Sequence, residues 1–388
     1  MRRNCAILAQ RFQPVLAMSN PLRLAFRPFA LLYEAIVQTR NQLFNRAVLR
    51  AWESPMPVVS VGNLSAGGTG KTPMVDWVVK YYLSIGFKPA IISRGYKRQS
   101  KGVQLVSDGN NVLLSSREAG DETAMLAWNN PDAIVVVASK RKQGVKLITK
   151  RFAQRLPSVI ILDDAFQHRQ IARSLDIVLV NAEEPFVEAA MLPEGRLREP
   201  KKNLLRADVV VLNKITDLEA ATPSIKALEE MGRPLVKARL STGELICFSG
   251  DATTLDEPAT AHHLNAFAFA GIAKPESFVT SLQHEGVNVG ATRFVRDHAP
   301  YSAKMLRAIR RQAEEQGLCL ITTEKDYFRL LGQPELLSII TALPCYYLKI
   351  APDIFDGKAL LQEKLNAVVH YVPKPEPPKK IEEPYRRW

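Results

Sequence analysis

Six short apolar segments recur between residues 58 and 214, and they restrict the possible fold more than any other feature of the chain. They are VVSVG (58–62), KPAIIS (88–93), AIVVVAS (133–139), SVIILDD (158–164), DIVLVNA (176–182) and DVVVLNK (208–214). Segments that are apolar on both faces are typical of buried parallel strands, which helices cover on both sides of a sheet. Helical stretches separate them, among them 73–85 and 140–155. The pattern predicts an α/β fold with a doubly wound, mostly parallel sheet.

The sequence changes in character near residue 233, where a second and smaller set of elements begins. NAFAFAGIAKPESF predicts a strand, a turn and a helix, AKMLRAIRRQAEEQG predicts an amphipathic helix, and LCLITTEKD and CYYLKI predict strands. The proline-rich, charged end has little apolar surface to bury, which is typical of a disordered tail. We therefore divide the chain into an N-terminal extension (1–21), a basic amphipathic helix (22–50), a main domain (51–232), a smaller C-terminal α/β domain (233–370) and the tail (371–388).

The basic N-terminal region contains a helical pattern that Pro28 is predicted to open at its first turn. The first 50 residues hold eight arginines and a single acidic residue, Glu34. At helical spacing the apolar residues fall on one side and most polar residues on the other; the apolar set is Phe29, Leu32, Tyr33, Ile36, Leu43, Phe44 and Ala47, and the polar set is Glu34, Gln38, Asn41, Asn45 and Arg46. Such a helix either lies on an anionic membrane, where each basic residue contributes about 1 kcal/mol, or packs against its own domain.

Several classes of protein are excluded by composition. No apolar run approaches the ~18 residues of a membrane-spanning helix, and Gln10 and Arg11 interrupt the first apolar stretch too early for a signal peptide. The four cysteines show no CxxC spacing, which argues against a disulfide framework or a zinc site and fits a reducing compartment; they are Cys5, Cys247, Cys319 and Cys345. We expect a protein of the cytoplasm or of a membrane surface.

A glycine-rich segment joins the first predicted strand to the first helix and has the features of a phosphate-binding loop. Gly67, Gly68 and Gly70 allow backbone N–H groups to point at phosphates beside a helix N-terminus. Lys71 is placed to reach the β- and γ-phosphates of ATP, and the Thr72 hydroxyl to bind Mg²⁺. The predicted ATP-binding residues are Ser65, Ala66, Gly67, Gly68, Thr69, Gly70, Lys71 and Thr72, with Ser65 standing where the usual pattern has glycine. The alternative is a glycine-rich turn without a ligand.

The fourth apolar segment ends in two aspartates, Asp163 and Asp164. A carboxylate at the end of a strand near a phosphate-binding loop holds Mg²⁺ directly or through water. Two adjacent aspartates in an apolar setting also favour a compensating cation. Together with Thr72 they form the predicted metal site, although an aspartate-rich turn is the alternative.

Three further polar clusters interrupt the regular pattern. AGDETAM carries Asp121 and Glu122, LPEGRLREP carries Arg198 and Glu199, and FVRDHAPYS carries His298. Each cluster taken singly is equally typical of a solvated loop. A base that deprotonates an alcohol is usually an aspartate or histidine held by a partner, which makes Asp121 and His298 candidates.

The ordered set of motifs resembles the tetraacyldisaccharide 4′-kinase family. VGNLSAGGTGKTP, ISRGYKR, AGDE, LDDAFQHR, LPEGRLREP, VLNK, AGIAKPESF, RDHAPYS and TTEKD occur in that order, over roughly residues 25 to 370. The resemblance implies a P-loop kinase that transfers the γ-phosphate of ATP to the 4′-hydroxyl of tetraacyldisaccharide 1-phosphate, forming lipid IVA. It also implies a peripheral protein on the cytoplasmic face of the inner membrane of a Gram-negative bacterium, with no nucleic-acid partner and no obligate protein partner.

The same resemblance assigns roles to individual residues. Asp121 would be the general base assisted by His298, Lys71 would act on the phosphates, and Asp163 and Asp164 would serve Mg²⁺. The residues implied to line the substrate cleft are Glu122, Gln167, His168, Arg198 and Glu199. One departure is Ala165, because the family commonly has glycine after the paired aspartates, and alanine does not readily adopt a positive φ.

Three other functions are weighed against the kinase. A GTPase switch is suggested by LNKIT, but Thr216 stands where the guanine-reading aspartate belongs. A ParA/MinD-like ATPase usually carries a signature lysine before the glycine pair, and Ala66 occupies that place. A nucleic-acid-binding module fits the sequence pI near 9.6, but no RNA- or DNA-binding motif accompanies that charge.

Overall fold

The computed structural model describes residues 20–249, 258–259, 264–297 and 299–370, and one sheet runs through this part of the chain. The predicted tail (371–388) and most of the predicted N-terminal extension lie outside the described residues, as does His298. In order along the sheet the strands are β11-β10-β12-β13-β8-β7-β6-β1-β5-β2-β4-β3, with β9 paired to β8.

The strands have the following bounds. They are β1 (Val58–Asn63), β2 (Pro89–Ser93), β3 (Gln104–Asp108), β4 (Ile134–Val137), β5 (Val159–Asp163), β6 (Leu175–Asn181), β7 (Val209–Asn213), β8 (Leu235–Cys247), β9 (Pro258–Ala259), β10 (Asn265–Ala270), β11 (Asn288–Phe294), β12 (Cys319–Thr323) and β13 (Cys345–Asp356).

The helices alternate with these strands in chain order. They are α1 (Asn20–Asn45), α2 (Lys71–Ser84), α3 (Ser116–Ala119), α4 (Asp121–Asn129), α5 (Arg141–Arg151), α6 (Leu218–Glu229), α7 (Pro275–His284), α8 (Ala303–Glu315), α9 (Glu324–Leu331), α10 (Pro334–Ile340) and α11 (Lys358–Val369). A 3₁₀ segment, Lys201–Arg206, precedes β7. Among the helices of the described ranges, none combines the length and the apolar character needed to cross a bilayer.

All six strands predicted from the apolar segments are confirmed. They lie side by side as β7-β6-β1-β5-β2-β4, every neighbouring pair is parallel, and every residue in them is buried. Burial on both faces is the reason for their continuous apolar sequence. The predicted α/β fold with a mostly parallel sheet is therefore confirmed.

The remainder of the sheet differs in pattern. β3 and the β8–β13 pair are antiparallel, whereas β10, β11 and β12 run parallel to one another. The long β8 and β13 join the two parts of the sheet, so the sheet continues across the predicted boundary between residues 232 and 233. The last helix, α11, returns to α2, where the Tyr82 hydroxyl donates to the Leu365 carbonyl at 2.9 Å. The division into two domains remains a prediction.

Helix α1 begins and ends earlier in the chain than the predicted helix, which covered 22–50. It begins at Asn20, so Pro28 lies inside the helix, and the prediction that Pro28 opens its first turn is wrong. An interior proline removes one backbone hydrogen bond and commonly bends the helix, and Pro28 itself is exposed.

Opposite sides of α1 have different surroundings. Ala30, Val37 and Asn41 are buried against the main domain. The row of Phe29, Leu32, Ile36 and Leu43, by contrast, is exposed, and the first three are each about 60% exposed. The helix therefore packs on its own domain through one side and presents an apolar row to its surroundings on another.

Candidate active site

The glycine-rich loop lies between the end of β1 and the start of α2, as the sequence predicted. Gly67 and Gly70 have φ angles of 119° and 83°, a region that favours glycine. A Cβ at Gly70 would also stand 2.3 Å from the Asn213 amide nitrogen. The two glycines are therefore required by the backbone shape of the loop.

Ser65 is accommodated because this part of the loop is held by a neighbouring segment. The Ala66 N–H donates to the Arg196 carbonyl at 2.7 Å, and the Arg198 N–H donates to the Leu64 carbonyl at 2.8 Å. Ser65 itself bridges Leu197 in the antiparallel sense and has no positive φ. The position therefore does not need the glycine of the usual pattern.

Three side-chain amides form hydrogen bonds that hold the loop and the end of β1. The Asn63 amide donates to the Ser65 carbonyl at 2.5 Å and to the Thr69 hydroxyl at 3.0 Å. The Asn213 amide donates to the Thr69 carbonyl at 3.1 Å, and the Gln167 amide to the Asn63 carbonyl at 2.9 Å. These bonds hold the backbone of the loop in its shape. Asn63 and Asn213 were not predicted from the sequence to hold the loop. The signal that could have identified them is that each is an asparagine at the end of a buried strand.

The aspartate pair lies at the same edge of the sheet as the loop, because β1 and β5 are parallel neighbours with Val61 opposite Asp163. Asp164 has a φ of 49°, uncommon for a residue other than glycine. Its carboxylate accepts hydrogen bonds from Arg198 at 2.9 and 3.1 Å, and the Lys71 ammonium lies 3.7 Å away. Burial alone would raise the pKa of Asp164, but the positive charges of Lys71 and Arg198 outweigh it and lower that pKa.

Ala165 raises no conflict with this backbone. The positive φ falls on Asp164, one residue earlier, and Ala165 is fully buried in the apolar layer beneath the sheet. The expected difficulty at this departure from the family pattern therefore does not arise.

Asp163 has a different environment from its neighbour. Its carboxylate accepts a hydrogen bond from the Ser93 hydroxyl at 2.8 Å, while its carbonyl accepts one from the buried Arg141 guanidinium at 2.6 Å. Burial, with the negative charges of Glu122 and Asp164, raises the pKa of Asp163 to about 6. Ser93 and Arg141 were missed at the sequence level; Ser93 ends a predicted strand and Arg141 begins a predicted helix.

Asp121 and Glu122 form the first turn of α4, and both contact helix α9 of the C-terminal region. The Asp121 carboxylate accepts a hydrogen bond from Arg329 at 2.8 Å, and the Glu122 carboxylate lies 3.4 Å from the Lys325 ammonium. The negative charge of Glu122 is also one of the causes that raise the pKa of Asp163, after burial. The other candidate base, His298, lies outside the described residues.

His168 lies at the half-buried end of the segment that follows the aspartate pair. Its backbone N–H donates to the Ala165 carbonyl at 2.8 Å. Burial, with the positive charge of Arg141, lowers the pKa of His168 to about 4. The imidazole is therefore neutral at neutral pH.

Glu199 is separated from the other predicted cleft residues. It is fully buried beneath α1, where Arg40 and Arg206 lie 3.2 and 3.0 Å from its carboxylate. The amides of Asn41 and Asn203 donate to the same carboxylate at 2.9 and 2.7 Å. The structure thus gives Glu199 the surroundings of an anchor for α1, while its neighbour Arg198 points to Asp164.

No group of three or more His, Cys, Asp or Glu side chains in the described part of the chain has the arrangement of a metal site. The predicted set contains only two carboxylates, Asp163 and Asp164, with the Thr72 hydroxyl. Phosphate oxygens normally complete a Mg²⁺ site of this kind. Burial is the largest cause of the raised pKa of Asp163, and the negative charges of Glu122 and Asp164 add to it; a nearby cation would favour the charged form of such a carboxylate.

Comparison with known proteins gives concordant matches. The family model described as tetraacyldisaccharide-1-P 4′-kinase matches residues 22–370. Two relatives named tetraacyldisaccharide 4′-kinase are similar: one from Pelodictyon phaeoclathratiforme is 64% identical over 352 residues (91% of this chain, 99% of the relative), and one from Chlorobium phaeobacteroides is 56% identical over 344 residues (89% and 97%). The crystal structure of LpxK from Aquifex aeolicus in complex with ATP has a TM-score of 0.70 at 29% identity, covering 90% of this chain and 100% of that chain.

Proposed function

The chain belongs to the family of tetraacyldisaccharide-1-P 4′-kinases, and from this premise we propose how its cleft carries out the reaction. It is an ATP-dependent kinase of lipid A biosynthesis that phosphorylates the 4′-hydroxyl of tetraacyldisaccharide 1-phosphate. The observation that carries the proposal is that Lys71 and Arg198 both form ion pairs with Asp164, beside the loop proposed to bind the phosphates. The GTPase and ParA/MinD-like alternatives are not favoured by this membership.

The loop residues 65–72 would bind ATP in this scheme. Backbone N–H groups of the loop surround the β- and γ-phosphates, and Lys71 adds its positive charge to them. Arg198, held next to Asp164, can turn toward the γ-phosphate as charge develops there. Phosphoryl transfer depends mainly on positioning and charge stabilisation, so these two cations supply most of what the reaction needs from the protein.

Asp121 would receive the proton of the acceptor. The 4′-oxygen forms a bond to the γ-phosphorus, the bond between that phosphorus and the β,γ-bridging oxygen breaks, and ADP leaves with the bonding electron pair. The proton of the 4′-hydroxyl passes to the Asp121 carboxylate. Glu122 and Gln167 would line the substrate cleft, and His298 is retained as the assistant to Asp121, as the family resemblance implies.

Mg²⁺ would be held by Thr72 and Asp163, with Asp164 nearby. The donor set is made of oxygen atoms, which Mg²⁺ prefers. When bound, the ion neutralises phosphate charge on the nucleotide.

The function is tested by incubating the purified protein with labelled ATP, Mg²⁺ and the tetraacylated disaccharide 1-phosphate. We expect labelled lipid whose mass has grown by one phosphoryl group at the 4′-position, with ADP formed in equal amount. GTP in place of ATP and a disaccharide already phosphorylated at the 4′-position are the controls. ATP hydrolysis that leaves the lipid unchanged would contradict the assignment and favour an ATPase switch.

The exposed apolar row of α1 supports a membrane location. Phe29, Leu32, Ile36 and Leu43 face away from the domain, while Arg27 lies exposed one turn before Leu31 on the same helix. An amphipathic helix with basic residues and an exposed apolar side binds the interface of anionic bilayers. We infer that α1 rests on the cytoplasmic face of the inner membrane, where its lipid substrate would be presented.

Replacing Leu32 and Ile36 by glutamate should weaken binding to vesicles of anionic phospholipid at least about tenfold, because each buried aliphatic side chain contributes about 1.5–3 kcal/mol. Sedimentation with the vesicles measures this. Gln42→Glu adds one negative charge to an exposed position of the same helix outside the row, and serves as the control. Equal partitioning of the double variant and the control would show that the row does not meet the membrane.

A further inference from the structure

Arg329, on helix α9, approaches the candidate base from the C-terminal region. Its Nε donates to the Asp121 carboxylate at 2.8 Å, and its side chain is only 6% exposed. Burial disfavours the charged guanidinium, but Asp326 and Asp121 outweigh it and raise the pKa of Arg329. A permanent positive charge is thus buried against the carboxylate to which the reaction would deliver a proton.

The same guanidinium also reaches the segment that carries the second candidate base. Nη1 of Arg329 donates to the Ala299 carbonyl at 3.4 Å, in the residue directly after His298. The guanidinium carbon lies 5.9 Å from the centre of the buried Tyr301 ring in that segment. One side chain therefore touches both stretches of sequence that were predicted to supply the base, although they are far apart in the chain.

A buried aspartate of the same helix, Asp326, holds the Arg329 guanidinium in place. Its Nη1 donates to Asp326 at 2.8 Å, and Asp326 is completely buried. The Asp326 carboxylate also accepts hydrogen bonds from the Gly271 N–H at 2.9 Å and from the Thr323 hydroxyl at 2.7 Å. The guanidinium is therefore fixed by the fold of the C-terminal region before it meets Asp121.

A neighbouring ion pair repeats the arrangement one helical turn earlier. Lys325 lies four residues before Arg329 on α9, 3.4 Å from Glu122 and 3.3 Å from Asp297. Helix α9 thus presents two cations, one turn apart, to two consecutive acids at the start of α4. These two ion pairs join the start of α4 to α9.

A purely stabilising role explains this cluster poorly. Buried ion pairs contribute little net stability, because removing the charges from water costs about as much as their attraction returns. Their best-attested benefit is a defined geometry. A misplacement of about 1 Å in a reacting group costs on the order of 10²-fold in rate, so geometry at Asp121 has a direct catalytic value.

We propose that Arg329 is a positioning residue for phosphoryl transfer, which fixes the Asp121 carboxylate in the arrangement that receives the acceptor's proton. The proposal rests on the proposed role of Asp121. It makes proton acceptance in the main domain depend on a residue of the C-terminal region. Arg329 contacts neither the phosphate-binding loop nor the aspartate pair, so nucleotide binding is outside its influence.

The test compares the kinetics of three variants in the full-length protein. Arg329→Gln should lower kcat about 10- to 100-fold and leave the KM for ATP within about twofold, since only the orientation of Asp121 is disturbed. Arg329→Lys keeps the positive charge and should recover most of the lost kcat. Arg311→Gln removes an exposed arginine from α8 in the same region and should behave as the parent protein.

A double variant separates positioning from stability. If Arg329 acts through Asp121, Arg329→Gln adds no further loss of kcat to Asp121→Asn. Additive losses, or a normal kcat in a folded Arg329→Gln protein, would overturn the proposal while leaving the role of Asp121 intact. A normal kcat in Asp121→Asn alone would instead remove the proposed base. Thermal unfolding shows whether Arg329→Gln is folded. If it is not, the kinetics of Arg329→Lys test the proposal instead. A kcat of Arg329→Lys as low as that of Asp121→Asn would then overturn the proposal.

Discussion

Replacing Asp121 by asparagine is expected to lower kcat at least ~10²-fold, the usual contribution of a general base. Asparagine has the size of aspartate and still accepts a hydrogen bond from Arg329, but it cannot take the proton of the acceptor hydroxyl. ATP binding should persist, because Asp121 begins α4 and is not one of the loop residues 65–72 proposed to bind the phosphates. Steady-state kinetics with the lipid acceptor, together with calorimetric titration of ATP, measure both quantities.

The control for this change is Asp132→Asn, at an exposed aspartate shortly after the end of α4. It removes the same charge without touching the cleft and should leave kcat unaltered. Turnover of Asp121→Asn close to that of the control would remove Asp121 from the role of base. Loss of ATP affinity in parallel with kcat would point to a structural defect around α4 instead.

Replacing Lys71 by methionine should lower kcat/KM about 10²–10³-fold, the range found when a preorganised charge is removed from a transition state. Methionine preserves most of the length and packing of the side chain. The ammonium lies 3.7 Å from Asp164, and in the proposed complex with ATP it would turn to the phosphates. The variant therefore loses charge stabilisation of the phosphoryl group, and single-turnover kinetics at saturating ATP separate that loss from weaker binding.

Lys80→Met is the matched control for the lysine substitution. Lys80 lies on the same helix, is partly exposed, and forms an ion pair with Asp76 one turn away. Its removal should change kcat/KM by less than about twofold, since exposed pairs of this kind contribute at most about 1 kcal/mol to stability and none to the reaction. Equal losses in both variants would indicate that α2 as a whole, and not Lys71, had been disturbed.

The main sheet was predictable because its signal is local. Each of the strands β1, β2, β4, β5, β6 and β7 is buried on both faces, so its apolar run is visible without knowledge of its neighbours. The long strands β8 and β13 lie partly exposed where the two parts of the sheet meet, and their mixed sequences carry no clear period. Only the beginning of β13 was recognised, in CYYLKI.

The candidate site was predictable where residues adjoin in sequence and not where they meet through the fold. Lys71 was predicted because it ends a glycine-rich loop at the start of a helix. Asp163 and Asp164 were predicted because they end an apolar strand segment. The contact of Arg329 with Asp121 joins residues that are 208 positions apart, and no local pattern announces it. Glu199 is the opposite case: it was predicted to line the cleft because of its motif. Its carboxylate is instead buried beneath α1, which depends on how that helix packs on the domain.

Helix α11 has a consequence for the order in which the newly made chain can fold. The side chains of Leu361 and Leu365 belong to the same apolar layer as Val59 and Met74 of the main domain. The ribosome releases the phosphate-binding loop long before this helix, so one flank of α2, with the buried Tyr82 hydroxyl, stays uncovered until α11 has been made. Completion of the nucleotide-binding half therefore waits for α11, and a truncated product that contains every loop residue but lacks α11 also lacks part of its core.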